Sequence, residues 1–173
     1  MEKIRYYDEA ISKFYRSQEI NSYPLSSLDI YSQHFDKVCQ SLQDISNLGD
    51  LAKKEKWGKE LPFKSEILGK EHVVVVTDPQ LNIVYASQNI YTMNGYRPEE
   101  ILGKKPKMFQ GEKTSMETAR NISKAVQNLE PFEATITNYR KDGSTYNCWI
   151  QGAPVFDTRG KVVNFIAFEK EVA

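Results

Sequence analysis

The chain has 173 residues, 40% hydrophobic and 12% aromatic, which is enough to bury a core and too apolar for a disordered chain. Lysine plus arginine and aspartate plus glutamate each number 23, so the formal net charge is zero and the electrostatic footprint of a general nucleic-acid binder is missing. No apolar run approaches the roughly 18 residues of a membrane span, and the charged opening MEKIRYYDEA lacks the apolar centre of a secretion signal. The length suits one elaborated domain or two small units. Cys39 and Cys148 are far apart and form no metal-spacing motif. They read as free thiols in a reducing compartment, and the expected location is the cytoplasm.

Residues 1–68 read as an N-terminal helical segment. Ile4, Tyr7, Ile11 and Phe14 recur at three-four spacing and share one helix face. INSYPLSS interrupts the pattern with turn and capping residues. A second helix follows on Leu28, Tyr31, Phe35, Val38, Leu42 and Ile45, with Gly49 as its expected stop. Its stripe is two to three heptads long. It suits either packing on its own domain or pairing with a second subunit.

From about residue 70 the texture changes. HVVVVTD is β-branched and ends at Asp78-Pro79, as a strand does, and NIVYAS is its hairpin partner. SQNIYTMNGY and RPEEILG read as short helices, with Pro98 in a first turn and Gly103 as a stop. TSMETARNISKAVQNL is a longer amphipathic helix with Met116, Ala119, Ile122 and Val126 on one side. Three strands follow: FEATITNYR, STYNCWIQGAPVF and KVVNFIAFEKEV. Their connecting turns, KDGS and DTRGK, carry glycine where a positive φ is needed. Two strands, short helices, then three strands give an α+β plan with an antiparallel sheet and helices on one face.

The succession VVVVTDPQLNIVYASQNIYTMNGYRPEEILGK, FQGEKT, NYRKDG, a strand ending in AP, and FIAFEKEV resembles a PAS domain over residues 69–173. It is most similar to the light-oxygen-voltage branch. The resemblance implies a five-stranded antiparallel sheet with helices over one face, a ligand pocket or a filled core between them, and a role in sensing or dimerisation. It also implies a bacterial signalling context.

Photoactive members of that branch carry Gly-x-Asn-Cys-Arg-Phe-Leu-Gln, whose cysteine attacks the excited flavin. The corresponding run here is Gly103, Lys104, Lys105, Pro106, Lys107, Met108, Phe109 and Gln110. Proline has no nucleophile, so covalent photochemistry is not expected. The resemblance also carries over the flavin contacts. The motif arginine becomes Lys107, which keeps the charge and loses the two-pronged grip. A second phosphate-binding arginine falls at Ser123. One ring-binding asparagine stays as Asn138, and the other becomes Cys148, which has no amide. The glutamine of the last strand becomes Glu169. Flavin mononucleotide is therefore disfavoured. Haem is disfavoured too, because no histidine stands near the long helix; His34 and His72 have no metal-ligand partner at helix or strand spacing.

Strand alternation sorts the remaining residues into faces. Ala134 and Ile136 go inward with Asn138. Tyr146, Ile150 and Gly152 go with Cys148, and Phe165 and Ala167 with Glu169. Gly152 and Ala167 leave room or admit another element. An ionised, unpaired Glu169 inside would cost several kcal/mol. It sits at the pocket rim, or is satisfied by Lys107, a tyrosine hydroxyl or a ligand. The expected ligand-binding set is Asn138, Gln110, Lys107, Tyr146, Cys148, Ile150 and Glu169. On the other face, Trp149, Ile166, Phe168, Val74 and Val76 leave an apolar surface that must be covered. The N-terminal helices are the expected cover, within a homodimer. No catalytic constellation is present. Two functions stay open: a small-molecule sensor that signals to a separate output protein, and a ligand-free interaction module.

Overall fold

The computed structural model describes residues 25–173, with side chains from residue 34 onward. The expected helix on Ile4, Tyr7, Ile11 and Phe14 lies outside the described residues. The chain divides into two compact units, residues 1–37 and 38–173, and the fold below is that of the second. The elements are helix α1 (Leu25–Lys54), helix α2 (Phe63–Leu68), strands β1 (Val73–Thr77) and β2 (Ile83–Ala86), and short helices α3 (Ile90–Asn94) and α4 (Pro98–Ile101). A 3-10 turn (Pro106–Phe109), helix α5 (Met116–Gln127) and strands β3 (Phe132–Tyr139), β4 (Thr145–Phe156) and β5 (Val162–Val172) complete the chain.

The five strands form one sheet in the order β2-β1-β5-β4-β3, with every neighbouring pair antiparallel. The architecture is the expected α+β one. Two tight turns set the register of β3, β4 and β5. Gly143 and Gly160 stand in them at φ 86° and 80°, a region that L side chains avoid. The β1–β2 turn is held by Asp78, whose carboxylate accepts from the backbone N–H groups of Gln80 and Asn82 and from the Asn82 amide.

Gly49 does not end α1, contrary to expectation. A Cβ built there meets open space, and the helix continues to Lys54. The stop comes at Lys56, which takes φ 54°, while the Trp57 N–H reaches back to the Ala52 carbonyl at 2.9 Å. This is the usual left-handed helix ending, made here without glycine.

The sheet is apolar on both faces, so each needs a covering layer. Period-two alternation sends Val73 and Val75 to an inner core with Ile83, Ile90, Ile101, Phe109 and Ile136. Val74 and Val76 go to an outer core with Leu48, Phe63, Ile67, Val155, Ile166 and Phe168. The outer cover is therefore the C-terminal half of α1 together with α2, from the same chain. Leu48 is fully buried there, whereas Leu42, of the predicted heptad stripe, is 53% exposed.

A polar clasp fixes α1 in place. The buried Asp44 carboxylate accepts from the Tyr85 hydroxyl at 2.6 Å and from the Gln88 N–H at 3.0 Å. Burial raises the Asp44 carboxyl against the pull of those two donors. Asp44→Ala leaves both donors without this acceptor and should cost about 2–4 kcal/mol in a urea titration. Asp44→Asn keeps one acceptor oxygen and should recover part of the loss. Equal stability of Asp44→Ala and wild type would show that the clasp contributes nothing.

His72, which lacked a partner by sequence spacing, is buried against Glu66 of α2, with Nδ1 2.7 Å from the carboxylate. Burial works to raise the Glu66 carboxyl, but hydrogen bonds from Lys70 and His72 outweigh it and hold the group low. Among the described residues no three potential ligands come together as a metal site.

Candidate functional site

The inner face of the sheet is the floor of the candidate site. Across it, Glu169 of β5 lies between Val73 of β1 and Ile150 of β4, and Ala167 lies between Val75 and Gly152. Helix α5 is the roof. Ser115 caps its first turn by accepting from the Thr118 N–H, and its Ile122 and Val126 turn toward the sheet. Between floor and roof lies a cavity of about 120 Å³. Glu169, Thr77, Pro106 and Phe132 complete its wall.

Glu169 is 7% exposed. Among the described residues its hydrogen-bond partner is the Cys148 thiol, whose Sγ lies 3.7 Å from Oε2. Burial pushes the Glu169 carboxyl up to about 7, with the thiol contact working the other way. Burial also pushes the Cys148 thiol up, and the neighbouring Glu169 charge adds to it. This thiol is protonated at neutral pH and a poor nucleophile.

Beside the cavity, along the same face, Tyr146 and Asn138 pair across β4 and β3 and are both buried. Burial again raises the Tyr146 hydroxyl. The Asn138 and Asn94 amides lie alongside it without reaching hydrogen-bond geometry. The Tyr146 hydroxyl, Asn94 Nδ2 and Thr77 Oγ1 are buried without a partner. Such an atom costs about 1–3 kcal/mol.

Of the residues singled out by sequence, Glu169 stands in the cavity wall. Cys148, Tyr146 and Asn138 are buried on the same face next to it, and Ile150 packs against that core. Gln110 is half-buried and Lys107 exposed at the 3-10 turn. Glu169 is thus inside rather than at a wet rim, and its hydrogen-bond partner among the described residues is Cys148 rather than the exposed Lys107. Gly152 does not open the pocket. The Phe132 ring lies so close over it that an added Cβ would come within 2.3 Å of a ring carbon. Thr77 and Phe132 went unnoticed in the sequence. Strand parity points Thr77 inward once Val74 and Val76 are placed outward, and points Phe132 inward with Ala134, Ile136 and Asn138.

A family model described as PAS domain matches residues 70–172. The chain belongs to the PAS domain family. Phototropin-2 of Oryza sativa subsp. japonica is 34% identical over 114 residues, covering 64% of this chain and 13% of that protein. Protein TWIN LOV 1 of Arabidopsis thaliana is 35% identical over 106 residues, covering 59% of this chain and 27% of the relative. The chain therefore spans a small part of these relatives. Among solved structures, a light-oxygen-voltage domain studied with a flavin analogue superposes with a TM-score of 0.61 at 30% identity. The match covers 66% of this PAS chain and 87% of that one. The light-oxygen-voltage domain of a blue-light-activated histidine kinase from Erythrobacter litoralis gives 0.56 at 25% identity, covering 66% and 99%. PAS domains of this kind are sensory parts of signal-transduction proteins, and the domain itself is not catalytic.

Proposed function

We propose that this PAS chain senses a small molecule held between α5 and the sheet, and signals through protein contacts rather than a flavin–cysteine adduct. The carrying observation is the gathering of buried, under-partnered polar groups on one side of the sheet: Glu169, Thr77 Oγ1, Tyr146 OH and Asn94 Nδ2. Buried polar groups are as a rule hydrogen-bonded, so these call for an occupant or for ordered water, and Glu169 and Thr77 stand in the cavity wall itself. Pro106 stands in the cavity wall at the position of the photoactive cysteine, so no adduct forms there. Flavin fits poorly. The cavity, at about 120 Å³, is well below the roughly 300 Å³ at which pockets for drug-sized ligands begin, and three fused rings with a phosphate tail exceed it. Cys148 supplies no amide for a ring edge.

The signal passes to an output domain or to a partner protein. We assign residues 1–68 to dimerisation or sheet cover, and 69–173 to the sensory domain. Leu42, exposed on α1, suits a second copy of the helix. Among the described residues no helix is long and apolar enough to cross a membrane, and we place the chain in the cytoplasm. A second reading, an interaction module that binds no ligand, is favoured by Phe132 filling the space above Gly152.

Visible absorbance of the purified chain, followed by mass spectrometry of what denaturation releases, tests the two. The expected result is a colourless protein that releases a compound of one-ring size. A yellow protein releasing flavin overturns the ligand assignment. Release of nothing, with no stabilisation by any small molecule tried, favours the interaction module.

A further inference from the structure

The cavity wall has a chemical sign. Its polar groups are a carboxyl, Glu169, and a hydroxyl, Thr77 Oγ1; no lysine or arginine reaches it. The rest is apolar, with Ile122 and Val126 above and Val75, Ala167 and Phe132 around. A buried carboxylate with only a thiol for a partner is short of a cation or of strong donors. Glu169 pairs with Val73 and Thr77 with Phe165, so the two polar groups stand four residues apart along β1, about 13 Å between backbones. Each side chain reaches inward from its strand. An occupant that satisfies both is elongated, has its donor-rich end at Glu169 and a hydroxyl at the other, and is no thicker than one ring.

Resting on the reading of the interior as a ligand site, we propose that its ligand class is a small primary amine. Its ammonium head sits on Glu169, its single-ring or short-chain apolar body lies beneath Ile122 and Val126, and its far end is polar, at Thr77. The ammonium brings the opposite charge and one or two N–H donors to a carboxylate that the protein leaves almost unpartnered. An anionic ligand would meet a buried carboxylate of its own sign. A phosphate-bearing nucleotide would meet no cation at this wall.

The test is a titration series on the full chain with three matched probes followed by calorimetry: tyramine, the neutral 4-ethylphenol and the anionic 4-hydroxyphenylacetate. Wild type should bind tyramine at least about tenfold more tightly than 4-ethylphenol, the range expected of a hydrogen bond to a charged group. Glu169→Gln should erase that preference while still binding 4-ethylphenol. Thr77→Val should weaken tyramine and leave phenethylamine unchanged, which locates the polar far end. If 4-ethylphenol or 4-hydroxyphenylacetate binds wild type as tightly as tyramine, or Glu169→Gln keeps the preference, the amine class is wrong and the interior site stands. If none of the three binds at millimolar concentration, the amine proposal fails together with the interior reading beneath it.

Discussion

Glu169→Gln makes the folded domain more stable at about pH 8 and leaves it nearly unchanged at about pH 4. Most substitutions of buried residues destabilise, so the sign is diagnostic. The carboxyl titrates at about 7 in the folded chain against an ordinary 4.5. Between those values the folded state keeps a proton that the unfolded state has released. Stability therefore falls as pH rises through this window, and the loss is complete above it. A shift of that size corresponds to about 3 kcal/mol. Glutamine has the same shape and no charge to bury, so it removes the penalty. The Cys148 thiol and the Tyr146 hydroxyl, the titratable groups coupled to Glu169, are both pushed upward and remain protonated through the window. Urea midpoints of wild type and variant should separate on the alkaline side and converge on the acid side. A constant gap at every pH would mean that the carboxyl is hydrated or paired in solution.

Leu48→Ala should cost about 2–5 kcal/mol, the range for emptying a fully buried leucine site. The side chain is wholly buried in the outer core with Val74, Val76, Ile166 and Phe168. At about 2–4 °C per kcal/mol for a chain of this size, the melting temperature should drop by roughly 4–20 °C. Leu42→Ala, six residues earlier on the same helix and half in solvent, should move stability by less than about 0.5 kcal/mol. Equal effects of the two would mean that α1 does not rest on the sheet in solution.

The contrast between these leucines marks what the sequence makes legible. Three-four spacing finds the helix, and its stripe meets the sheet at Ile45, which packs against the outer core, while Leu42 of the same stripe stays half in solvent. The sheet-facing side also holds Asp44 and Leu48, where a polar residue breaks the apolar pattern in order to hold Tyr85 and Gln88. The strands were easier to read. Their β-branched runs and glycine turns are local signals, and parity alone turns Glu169, Cys148 and Asn138 to one face. The size of the interior was not legible. Gly152 suggests open space, yet Phe132, twenty residues earlier and on the neighbouring strand, fills it. Helix endings can mislead in the same way, since Lys56 takes the left-handed position that Gly49 advertises. The first two misses depend on contacts between residues distant in sequence, and the third on a local turn that a non-glycine residue can also make.

Strand β5 runs between β1 and β4, with Glu169 turned to the cavity and Phe168, the preceding residue, turned to the core that holds Leu48. One peptide bond therefore separates the chemistry of the interior from the surface on which α1 rests. A tilt of β5 that adjusts Glu169 to an occupant is a tilt of Phe168 in the opposite sense. On the proposed reading, an occupant that shifts β5 at Glu169 would be felt one residue away at Phe168, in the core that holds Leu48.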